Sequence, residues 1–79
     1  MTEPELFRRC RRALGLSQAE IADALLVASD RTVRRWEAGA VPIPGPAWVA
    51  LRYMLGERRL PLVHDVAAMI AQRRSATAN

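Results

Sequence analysis

Apolar residues recur along this chain at the three- and four-residue spacing of helices, in five short blocks separated by glycine and proline. In the first block Leu6, Cys10 and Leu14 recur every four residues and form one buried stripe. Thr2 and Glu5 have the spacing of a capping box, with Pro4 tolerated in the first turn and Gly15 as the stop. Ser17 and Glu20 repeat the capping box and open helix two, whose apolar face is Ile21, Ala22 and Leu25. Leu26, Val27 and Ala28 form a turn, and Ser29 caps helix three, which runs to Ala38 before Gly39. The stretch Val41 to Pro46 carries three prolines and a glycine, so it is a rigid loop. Helix four then runs from about Ala47 to Leu55, with Pro46 as its first residue, Trp48, Leu51 and Leu55 on one face, and Gly56 as its end. Pro61 opens helix five, which extends to about Arg74, and residues 75–79 are expected to be a disordered tail. No segment alternates with the period of a strand. The expectation is an all-α fold: one five-helix domain over residues 1–74.

At 79 residues the core is small, and self-association is a natural way to complete it. No apolar run approaches the ~20 residues needed to span a bilayer. The N-terminus is acidic and then basic without an apolar stretch, so it is not read as a secretory signal. A single cysteine, Cys10, excludes an intramolecular disulfide and fits a reducing cytoplasm. The formal charge is +4, and every one of the twelve basic residues is arginine. A GC-rich genome is one source of that bias. The clustering in short runs leans toward a polyanionic partner, although charge alone does not separate nucleic acid from an acidic protein or a membrane surface.

Helix three sharpens this. At about 100° per residue, Val33, Trp36 and Glu37 share its back. Arg31 and Arg35 fall opposite, with Thr32 and Arg34 beside them. Such a front is either a solvated face or a reading head. Arginine suits bidentate contact with guanine O6 and N7 in the major groove. The capped helix before it, the short turn and the following glycine favour the second reading.

The run Leu14-Gly15-Leu16-Ser17-Gln18-Ala19-Glu20-Ile21-Ala22, followed by Thr32-Val33-Arg34-Arg35-Trp36-Glu37-Ala38-Gly39, resembles the Cro/CI-type helix-turn-helix of the XRE family, over roughly Leu6 to Leu55. The resemblance implies a compact five-helix domain, with the helix-turn-helix proper at residues 17–38 and the third helix in the major groove of double-stranded DNA. It implies base contacts from Asp30, Arg31, Thr32 and Arg35, and phosphate contacts from Gln18, Ser29, Arg34 and Arg11. It also implies a bridge between Arg11 and Glu37 that is mainly structural. Asp30 either caps helix three, favoured by the helix dipole, or accepts from a cytosine amino group. The sequence departs from the family pattern in three places. The turn is one residue longer, Leu26 replaces the usual glycine, and no Lys or Arg follows Gly39 to clamp a phosphate.

Leu62, Val66, Met69 and Ile70 on helix five serve either the core or a two-fold dimer interface. A symmetric dimer would set two reading helices about 34 Å apart on an inverted repeat. The function this implies is a homodimeric, cytoplasmic repressor of its own or a neighbouring operon, of a kind found in phage, anti-CRISPR-associated and toxin–antitoxin settings. The alternative is a protein-interaction module, such as an antitoxin that neutralises a partner. His64 stands alone and is read as a surface residue, Cys10 as core, and Trp48 and Tyr53 as packing residues. Arg8, Arg9 and Arg12 are read as solvated, with the DNA backbone as the alternative. No catalytic constellation, metal-ligand spacing, cofactor motif or small-molecule site is expected.

Overall fold

The structure, a computed structural model, describes residues 1–77. Among them the chain forms five helices in order: α1 (Glu3–Ala13), α2 (Gln18–Ala24), α3 (Asp30–Glu37), α4 (Gly45–Glu57) and α5 (Leu62–Thr77). No described residue is in a strand. None of the helices is long and apolar enough to cross a membrane. The helix α5 continues three residues beyond its expected end at Arg74, so residues 75–77 are helix rather than tail. The rest of the expected tail lies outside the described residues.

Both N-terminal caps form. Thr2 Oγ1 accepts from the Glu5 N–H at 3.3 Å. Ser17 and Glu20 form the full reciprocal box, with Ser17 Oγ accepting from the Glu20 N–H at 3.1 Å and a Glu20 carboxylate oxygen from the Ser17 N–H at 2.8 Å. The C-termini share one device. After α1, α2, α3 and α4 the chain turns through a residue at positive φ: Gly15, Leu26, Gly39 and Arg59. At each, two backbone hydrogen bonds close over the last turn, as in Leu26 N–H to Asp23 C=O at 3.1 Å and Val27 N–H to Ala22 C=O at 2.9 Å. Two of these positions therefore hold side chains where glycine is the ordinary choice. Arg59, not Gly56, ends α4, and Gly56 lies inside the helix.

Leu26 is 93% exposed, so it contributes no packing in return for its backbone. The left-handed conformation costs a non-glycine residue roughly 1–2 kcal/mol. Leu26→Gly is therefore expected to raise unfolding stability by about 1 kcal/mol, after the greater freedom of glycine in the unfolded chain is subtracted. A thermal melt tests this, and an unchanged or lower Tm would contradict it.

The helices enclose one core. The helix α2 packs on α3, α4 lies along α5, and α1 touches both α3 and α5. Phe7 joins them. Its ring meets Trp36 of α3 edge-on at 5.6 Å and Trp48 of α4 at 5.9 Å. Leu6, Cys10, Leu14, Ile21, Val33, Leu51 and Leu55 are buried around these rings. Ile43 is also buried, so the proline-rich loop closes one edge of the core. Burial pushes the Cys10 thiol up to about 11, with the charge of Asp65 adding to it, which keeps the thiol protonated at neutral pH. Two expected roles change here. Val66 is fully buried in the core of a single chain and so is not available to a dimer partner. Leu62, Met69 and Ile70 are partly buried against the same core. Tyr53, expected to pack, faces outward from α4.

Candidate nucleic-acid interface

The position of α3 is set from behind. Val33 and Trp36 are in the apolar core, and Glu37, 5% exposed, is the single buried charged residue among those described. A carboxylate in that setting needs donors. Arg11 from α1 supplies a bidentate pair, Nε to Oε2 at 2.7 Å and Nη2 to Oε1 at 3.0 Å. Gln18 at the start of α2 donates Nε2–H to Oε1 at 3.3 Å. Arg8 donates to the Glu37 backbone carbonyl at 3.2 Å and holds Nε 3.5 Å from Oε1. Arg11 also donates Nη1–H to the Leu16 carbonyl at 3.1 Å, in the link between α1 and α2. One carboxylate thus ties α1, α2 and α3 together.

Burial alone would raise the Glu37 carboxyl. The hydrogen bonds from Arg11, Gln18 and Arg8, with the charge of Arg11, outweigh it and hold the group below its ordinary value of 4.5. The sign of the pH dependence follows. A carboxyl depressed in the fold contributes stability that is present above 4.5 and lost as pH falls from there through the folded value. Denaturant melts across that acid range are expected to show falling stability, and Glu37→Gln should remove this component. A slope unchanged in Glu37→Gln would assign the acid response to other carboxylates.

The front of α3 is open. Arg31 and Arg35 are exposed, and neither has a hydrogen-bond or ion-pair partner among the described residues. Thr32 beside them is partly buried. Asp30 occupies the first turn, where its charge is favoured by the helix dipole. It does not cap: its Oδ2 accepts from Arg34 Nη1 at 2.8 Å, one turn along. Ser29 occupies the N-cap position with extended backbone, but its side chain makes no capping hydrogen bond. Of the expected phosphate ligands, Arg34 is exposed and held only by this surface pair. Gln18 has one amide N–H left. Arg11 is directed inward: its side chain is 13% exposed, and Nε, Nη1 and Nη2 each donate to Glu37 or Leu16, which makes it chiefly a structural tie.

Arg8, expected to be solvated, belongs to the Glu37 cluster. Its signal was its place three residues before Arg11, on the same side of α1. Two further arginines act as long-range ties. Arg58 donates to the Leu14 carbonyl at 2.7 Å, at the C-terminus of α1. Arg73 of α5 pairs with Glu3 and donates to the Ile43 carbonyl at 2.9 Å, holding the loop that follows the reading helix. Among the described residues no group of three or more His, Cys, Asp or Glu is placed to hold a metal ion.

A family model described as a helix-turn-helix domain matches residues 5–51, more than half of the chain. Both runs that carry the Cro/CI-type resemblance lie inside the match, and α5 lies outside it. No curated protein and no solved structure matches the chain.

Proposed function

The chain belongs to the helix-turn-helix domain family, and from that premise we propose that it is a sequence-specific regulator that binds double-stranded DNA as a homodimer and represses its own or a neighbouring operon. The observation that carries this reading is the division of α3: a back anchored by Val33, Trp36 and Glu37, and a front where Arg31 and Arg35 have no partner among the described residues. Unpaired guanidinium groups on a rigid helix can contact guanine edges without first breaking an internal bond, and rigidity lowers the entropic loss on binding.

In this reading α3 enters the major groove. Arg31 and Arg35 take base edges, and Thr32 lies at the groove wall. Arg34 leaves Asp30 for a phosphate, which frees the Asp30 carboxylate to accept from a cytosine amino group. Gln18 offers its second N–H to a phosphate at the start of α2, while the first stays on Glu37. Ser29 is free to contact the backbone, having no capping bond to give up.

Selection of bound sites from random DNA tests this reading. The expected result is an enriched inverted repeat with guanines in each half-site. Enrichment of nothing, with a partner protein recovered instead, would favour the interaction module.

A further inference from the structure

Val49 and Tyr53 stand one turn apart on the outer face of α4, 55% and 68% exposed. They form a ridge with an apolar groove on each side. One groove, about 540 Å³, runs past Arg52, Gly56, Glu57 and Val63. The other, about 820 Å³, runs past Pro46, Ala50, Met54 and Ala24 of α2. A large outward tyrosine beside a valine, flanked by the partly buried Ala50 and Met54 on a helix whose opposite face is buried through Ala47, Trp48, Leu51 and Leu55, is surface that a small domain ordinarily covers.

We propose that this face of α4 is the homodimer interface, with a second copy of the chain packed antiparallel across a two-fold axis. The proposal rests on the homodimeric reading above and replaces α5 as the contact, since Val66 is spent in the core. Two features select a second copy as the occupant. The first is shape: a ridge next to a groove is self-complementary under two-fold rotation, because each ridge fills the other's groove. The second is charge. Arg52 and Glu57 line the same groove, both exposed, and Arg52 has no hydrogen-bond or ion-pair partner among the described residues. An antiparallel register that sets Arg52 against Glu57 of the second copy repeats that ion pair on both sides of the axis. The same register sets Tyr53 over Gly56 of the second copy. The space above Gly56 is open: a Cβ there would meet only Val63 Cγ2, at 3.9 Å.

Sedimentation of the full chain without DNA tests the proposal. The wild type is expected to be a reversible dimer. Tyr53→Asp should raise the dissociation constant about a hundredfold. Arg52→Glu and Glu57→Arg should each raise it about tenfold, and the two together should restore it to near the wild-type value. All three positions are exposed, so helicity should not change in any variant. A wild type that stays monomeric, a dimer indifferent to Tyr53→Asp, or a double variant no tighter than the single ones would each overturn it. DNA binding separates this from the regulator reading. A Tyr53→Asp monomer should keep its affinity for an isolated half-site and lose its preference for the inverted repeat. A wild-type dimer that binds no DNA would leave the interface standing and end the regulator reading. A wild-type monomer that binds DNA would end the interface and the homodimer and leave only DNA binding through α3.

Discussion

Replacing Arg31 and Arg35 with alanine is expected to abolish selective DNA binding while leaving the fold intact. Each arginine in bidentate contact with a guanine is worth about 1–3 kcal/mol of discrimination. Loss of both, at about 4 kcal/mol together, is on the order of a thousandfold in affinity for one half-site. The fold should not notice, because both side chains are exposed and neither holds another group in place. Unchanged thermal unfolding with lost binding is therefore the expected pair of results. Undiminished binding in the double variant would remove α3 from the interface. Lysine at either position tells the two contact types apart. Arg31→Lys keeps the charge but loses the planar fork, so it should behave almost as alanine at a base and almost as wild type at a phosphate. Salt titration gives a second check: a lost phosphate contact lowers the salt slope by about one, uniformly across sequences, whereas a lost base contact relaxes preference at one position.

Removing the Glu37 carboxylate should have the largest effect on stability. Glu37→Ala leaves Arg11 13% exposed, with its charge uncompensated. Breaking such a buried pair from one side costs about 3–5 kcal/mol, a large share of the roughly 5–10 kcal/mol that holds a domain of this size. The loss should reach DNA binding as well, because Glu37 is where α1 and α2 hold α3. Glu37→Gln keeps an acceptor oxygen for Arg11 and should cost less. Denaturant unfolding of Arg11→Ala, Glu37→Ala and the double variant forms a cycle that isolates the pair. The double variant is expected to lose little more than either single one, since removing both partners leaves no lone buried charge. Simple additivity would mean that the pair is a surface ornament, against its burial and geometry.

Much of this architecture can be read along the chain because its causes are local. The Ser17–Glu20 box, the stops at Gly15 and Gly39, and the opposition of Val33 and Trp36 to Arg31 and Arg35 depend only on residues within one or two turns. Other features escape such reading. Leu26 and Arg59 take the left-handed position at two helix ends although their side chains disfavour it, because the chain must turn there whatever residue is present. Gly56 is the obvious stop by type, yet α4 continues through it. Asp30 suggests a cap, but Arg34 one turn on is the stronger partner. Phe7 sits beside the expected stripe of α1 and becomes the ring that joins three helices.

By itself the sequence determined that the chain is helical, where the capped helices α1 and α2 start, and which side of α3 carries arginine, since periodicity and capping act over a few residues, whereas α4 begins at Gly45, inside the stretch read as loop. The tertiary structure alone decided which arginines remain free. Twelve arginines look alike in sequence. Arg8 and Arg11 are drawn to Glu37, Arg58 to the Leu14 carbonyl and Arg73 to Glu3 and Ile43, across separations of up to 70 residues. What remains on the reading face is Arg31 and Arg35, because a guanidinium is committed by whichever carboxylate or carbonyl the fold brings to it, and that is a property of packing.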